Sequence, residues 1–94
     1  MLREPLSNDE AKRRASQILR SGEARFSGHA LKEMANDSIS EDAALGVIRS
    51  GYVEFPEQIS DSWRYRFRAQ DLAVVVAFRS ETVLVIVTAW RIKR

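Results

Sequence analysis

One histidine stands among the 94 residues of this chain, His29, and further along three arginines alternate with aromatic residues: Trp63-Arg64-Tyr65-Arg66-Phe67-Arg68. An imidazole ordinarily titrates near ~6.5, which suits it to moving protons at neutral pH. Metal-independent RNA cleavage needs one group to take the ribose 2′-OH proton and another to protonate the leaving 5′-oxygen. It also needs cations to hold the charge of the phosphorane. His29 fits either proton transfer and Arg66 fits the charge, so these two are the catalytic candidates. A lone histidine at a helix start is also a common cap or packing residue, and that plainer role stands beside the chemical one.

Arg64, Arg66 and Arg68 fall on one side of one strand, roughly 6.5–7 Å apart, a spacing that suits successive phosphates. Arginine is also the better phosphate fork. Arg64, Arg68, Arg79 and Arg91 are therefore the phosphate-binding candidates, with Thr88 and Trp90 beside them at the end of the last strand. An exposed Trp90 would stack a base, worth about 1–3 kcal/mol. The alternatives are structural. Alternating arginines protect a sheet edge from aggregation, and tryptophan more often fills a core or a subunit contact. Metal ligation is not expected: Glu33 and Asp37, at i and i+4, read as a solvated helix face, and there is no cysteine. No phosphate-cradling glycine loop or nucleophile elbow is present, and no cofactor is expected.

These candidates need elements to position them. Ser7 and Glu10 have capping-box spacing, which predicts a helix from Asp9 to Arg20 with Ala11, Ala15, Ile18 and Leu19 inward and Lys12, Arg13 and Arg14 toward water. Arg25–Ser27 is either a brief strand or a connector. Ser27 and Gly28 precede a second helix with His29 in its first turn. Ser40 caps a third, which runs to Ser50 and ends at Gly51 as a C′ residue. Tyr52–Ile59 is extended, with Pro56 marking an edge strand or a bulge. Strict alternation then makes Trp63–Ala69 a half-buried strand, and Leu72–Phe78 and Val83–Trp90 are β-branched strands.

With even-length turns at Gln70-Asp71 and Ser80-Glu81, one charge-free face holds Tyr65, Phe67, Val74, Val76, Val83, Val85 and Val87. The other holds Arg64, Arg66, Arg68, Arg79, Thr88 and Trp90 around a floor that includes Val75, Leu84 and Ile86. That floor would equally serve a protein partner. An odd loop or a bulge swaps the faces beyond it.

The expected architecture is α+β: N-terminal helices packed on one face of a four-stranded, mostly antiparallel sheet. It forms a single domain over 1–94, divided into an N-terminal helix (1–24), a histidine-containing helical pair (25–51) and an antiparallel meander (52–94). Net charge is only +2, yet Arg64, Arg66, Arg68, Arg79, Arg91, Lys93 and Arg94 gather in the C-terminal third, which suggests a local anionic partner. No apolar run reaches membrane-spanning length, and the N-terminus lacks a secretory apolar segment. These features point to a cytoplasmic protein with no membrane partner.

The segment FSGHALKEMANDSISEDAALGVIRSG resembles the start of a bacterial family, domain of unknown function 4258. That family opens with a histidine-led helix, an I-S-x-x-D/E helix start and a glycine before the sheet. His29-Ala30, Ile39-Ser40-Glu41-Asp42 and Gly51 match, and VVVAF…VLVIVTAWR looks like its paired C-terminal strands. The family is similar to the RelE-like and barnase-like ribonuclease fold of toxin–antitoxin systems. The resemblance implies helices on one sheet face, RNA on the other and His29 as the family's histidine. It departs from the family where Glu33 and Asp37 stand in place of frequent arginines, which leaves Arg64, Arg66 and Arg68 to supply the positive charge. The reading is a RelE-like, metal-independent endoribonuclease acting on RNA, including ribosome-associated mRNA, and covered by a small antitoxin. The alternatives are a non-catalytic immunity, antitoxin-like or regulatory module and a sheet-to-sheet homodimer.

Overall fold

Three serines start the three helices. In the computed structural model, which describes residues 2–54 and 56–92, the Ser7 hydroxyl accepts from the Glu10 N–H and opens α1 (Asn8–Ser21). Ser27 does the same from Ala30 for α2 (Gly28–Asn36), and Ser40 from Ala43 for α3 (Glu41–Ser50). Each cap satisfies a donor that the first turn would otherwise leave open. Ala11, Ala15 and Ile18 form the buried stripe of α1, and Ala44, Val47 and Ile48 that of α3.

The strands are β1 (Glu23–Phe26), β2 (Tyr52–Val53), β3 (Glu57–Ile59), β4 (Ser62–Ala69), β5 (Leu72–Phe78) and β6 (Val83–Arg91). They make a mixed, mostly antiparallel six-stranded sheet in the order β1-β6-β5-β4-β2, with β3 also pairing β4. The expectation of four strands is corrected at both edges. Arg25 lies in a real strand, parallel to β6. The extended segment around Pro56 is broken, so β2 pairs with the end of β4 and β3 with its start.

The first hairpin has the expected register: Ala69 faces Leu72 across Gln70-Asp71, and Gln70 takes the positive φ (55°) such a turn demands without a glycine. The second does not. Phe78 pairs with Leu84, and the Arg79 N–H binds the Val83 carbonyl, so the loop Ser80–Thr82 is odd in length. Leu84 and Ile86 therefore turn inward and are fully buried, while Val83 and Val85 turn to the outer face. Val76 then pairs with Ile86 but Val75 with Thr88, leaving Val87 as an extra residue. That bulge swaps the faces a second time. Ala89 goes to the core, and Thr88 and Trp90 return to the outer face.

Helices and inner sheet face share one apolar core that includes Ile18, Met34, Ile48, Tyr65, Phe67, Val74, Val76, Leu84 and Ile86. Tyr65 meets Phe78 edge-to-face with ring centres 5.3 Å apart. Its hydroxyl accepts from the Leu6 N–H and donates to Glu4, each at 2.9 Å. Burial first, with the Glu4 carboxylate adding, pushes the phenol well above its ordinary range.

Lys12 departs from the expected solvent-facing role. Its ammonium donates to the carbonyls of Ile48, Arg49 and Gly51 at the end of α3 and sits 5.9 Å from the Phe67 ring centre. All three of its protons are thus used on carbonyls that a helix end leaves open. Lys12→Met is expected to lower stability by about 2 kcal/mol, read as a drop in urea midpoint at unchanged slope.

Candidate functional site: the outer face of the sheet

The outer face can be read in rows across the strands. Tyr52, Arg68, Ala73 and Trp90 form one. Glu54, whose N–H binds the Arg66 carbonyl, begins the next, which continues through Arg66, Val75 and Thr88. Glu57 and Arg64 start the third, which ends with Ala77, Val85 and Arg25. The middle strand thus contributes only Ala73, Val75 and Ala77 between taller neighbours. The result is a trough along β5, with arginines on one bank and Trp90, Thr88 and Val85 on the other. Ala73 and Ala77 are buried at its floor yet stand apart from the main core.

The trough holds a cleft of about 360 Å³ lined by Glu54, Glu57, Ile59, Arg64, Arg66, Val75, Thr88 and Trp90. The Arg66 guanidinium carbon lies 5.2 Å from the centre of the Trp90 ring, so the two side chains meet above β5. Arg68 reaches toward Glu54 at 3.6 Å, close enough for ionic attraction but too long for a hydrogen bond. The Nε atoms of Arg64 and Arg68 and Oε1 of Glu54 are shielded from solvent without a hydrogen-bond partner among the described residues.

His29 stands apart from the arginines in sequence, and α2 carries it alongside β6. β1 ends opposite Ile86. The chain then turns at Ser27, whose hydroxyl donates to the carbonyl of the bulged Val87 at 2.9 Å, so Ser27 pins the start of α2 to the bulge. α2 follows the second half of β6 where β1 has stopped, and the Arg91 N–H donates to Asp37 at its far end. His29 is exposed at the start of that helix.

The other candidates lie further out. The Arg91 guanidinium donates to Asp71 at 3.0 Å and to the carbonyls of Asp37 and Ser38, fastening α2 to the β4–β5 turn. Arg79 is exposed at the far end of β5. Lys93 and Arg94 lie outside the described residues. The apolar floor expected from Leu84 and Ile86 is instead Val75, Val83 and Val85, because both former residues are buried under the helices. Two acids in the cleft, Glu54 and Glu57, carried no sequence signal. Their place depends on how a proline-broken strand registers on β4. Among the described residues no group of three or more His, Cys, Asp or Glu is placed to hold a metal ion.

No helix of the described residues is long and apolar enough to cross a membrane. No curated protein and no solved structure matches the chain. A family model does match residues 26–91, from the last residue of β1 through the end of β6, and the chain belongs to that family, the domain of unknown function DUF4258.

Proposed function

We propose that this protein is a RelE-like, metal-independent endoribonuclease that lays a single RNA strand along the trough over β5. The observation that carries this reading is the Arg66 guanidinium over the Trp90 ring on a face without helices. A base can stack there while a cation stays beside its phosphate. Arg64 and Arg68 continue the positive bank, and Thr88 offers a hydroxyl from the opposite one. His29, exposed in the first turn of α2, is the proton-transfer group, and Arg66 stabilises the charge on the phosphorane. Arg79 holds a more distant phosphate, and Arg91 would have to release Asp71 to hold another. The substrate is a single strand, as in mRNA on a ribosome, and a small antitoxin would cover the same face.

The test is cleavage of a labelled single-stranded RNA in EDTA, with product ends identified. The expected products carry 2′,3′-cyclic phosphate and 5′-hydroxyl ends. His29→Gln should slow the reaction by about a hundredfold or more with little change in binding. Trp90→Ala should weaken binding by about tenfold. Binding without cleavage would reject the enzyme and leave an RNA-binding module. A second reading, a non-catalytic protein-binding module, is favoured by Tyr52 and Ile59, which are 59% and 38% exposed on the same face. It predicts no RNA affinity.

A further inference from the structure

The sheet ends differently on its two sides. Beyond β4 the edge strands are two and three residues long, and Pro56 stands between them. Shortness and proline are common ways of blunting an edge. At the other end lies β1, unbroken and without proline, with β6 on one flank and no strand on the other. The N–H groups of Glu23 and Ser27 bind the carbonyls of Thr82 and Ile86 on β6. Backbone groups alternate in direction along a strand, so Ala24 and Phe26 turn their N–H and C=O groups the other way, toward the open edge. On the outer side of β1, Glu23 and Arg25 are exposed, and Arg25 donates to Glu23. On the inner side, Ala24 and Phe26 are only partly covered by the core they pack against.

We infer that β1 pairs edge to edge with β1 of a second copy of this chain, antiparallel about a two-fold axis at Ala24; this does not depend on what the outer face binds. In that register Ala24 exchanges both backbone hydrogen bonds with the partner's Ala24. The Phe26 N–H reaches the carbonyl of the partner's Gly22, whose own N–H is already spent on Ile18. Glu23 faces the partner's Arg25, and Arg25 faces the partner's Glu23, so the exposed charges close into a ring of alternating sign. Phe26 lies across from a glycine, which has no side chain to obstruct it. The other registers that keep the same backbone groups paired are worse. An axis at Glu23 or at Arg25 sets like charges opposite each other, and an axis at Phe26 leaves both charges without an opposite one. Opposite charges two positions apart on one edge are therefore self-complementary, as a two-fold contact requires. The axis stands perpendicular to the sheet, so both outer faces look to the same side and each trough stays open. The contact is short, which makes the dimer a weak one, dissociating at about micromolar concentration or above.

Sedimentation equilibrium of the full chain, from micromolar to near-millimolar concentration, tests the pairing. The mass should rise with concentration from that of one chain toward that of two. Glu23→Arg and Arg25→Glu, each checked for unchanged melting, should each weaken association by about tenfold or more, because like charges then face each other on both sides of the axis. Mixing the two variants should restore it, since paired arginines on one chain then meet paired glutamates on the other. Amide exchange at Ala24 and Phe26 should slow as the dimer forms. A chain that stays monomeric throughout overturns the inference and leaves the edge to a strand of another protein. Association that survives both single variants, or that forms without slower exchange at Ala24 and Phe26, overturns it as well. In that case the contact lies on the outer face, where Ile59→Lys would break it. A mixture no better associated than its two components also overturns the pairing.

Discussion

Leu84→Asp should leave the chain unfolded at room temperature, whereas Val85→Asp, one residue away, should melt within a few degrees of the parent. Leu84 has no solvent exposure and packs in the shared core. Aspartate there loses the burial of a large apolar side chain, about 1.5–3 kcal/mol. It also either buries an unpaired carboxylate or neutralises it at further cost. The sum, about 4–5 kcal/mol or more, rivals the stability of a small domain. Val85 faces outward beside Ala77 and Arg25 and is only half-buried, so a carboxylate there remains hydrated and meets a cation. Circular dichroism on the two variants decides the matter. If Val85→Asp unfolds and Leu84→Asp does not, the second hairpin has an even loop and the strand face described here is reversed.

The second large effect is expected at Gly51. A methyl group added there would drive into the carbonyl oxygens of Arg68 and Val47, one from the sheet and one from the helix that Gly51 terminates. Both belong to backbone and neither can swing away. The Gly51 N–H also binds the Val47 carbonyl at 2.7 Å, so opening the contact costs the helix its last hydrogen bond. Gly51→Ala should lower stability by about 3 kcal/mol, a fall in melting temperature of roughly 12–24 °C for a domain this size. A loss below about 1 kcal/mol would mean that α3 and β4 are less closely joined than described. The sequence marked Gly51 correctly as a helix stop but suggested the wrong cause. Its φ is −80°, an ordinary value, and glycine is needed for close approach, not for a left-handed turn.

Serine caps explain why the helices were legible. Ser7, Ser40 and the Ser27-Gly28 pair mark their starts with local chemistry, and the apolar spacing behind them supplies the buried faces. The first hairpin was legible because Arg64, Arg66 and Arg68 alternate with Trp63, Tyr65 and Phe67, which leaves one choice of inner face. β6 gives no such guide. Val83, Leu84, Val85, Ile86 and Val87 are all apolar, so either parity buries a plausible set, and only the odd loop and the bulge decide. β1 was hidden for another reason: its four residues pair in parallel with a strand sixty positions away, a relation no short window contains. Trp90 and Thr88 were placed on the outer face because two parity changes cancelled. Glu54 and Glu57 were missed because their partner strand was not known. The Lys12 interaction was missed because a lysine on a helix normally looks outward, and nothing local shows that the end of α3 lies beneath it.

The bulged Val87 behaves like a second reading-frame change that restores the first. Between the loop and that residue, β6 is read in one phase and serves the interior; after it, the phase returns and the strand serves the outside. The one residue added at the bulge offsets the odd Ser80–Thr82 loop, and the bulge itself is fastened to Ser27. Trp90 thereby ends above β5 within reach of Arg66, although the loop that precedes its strand is odd in length.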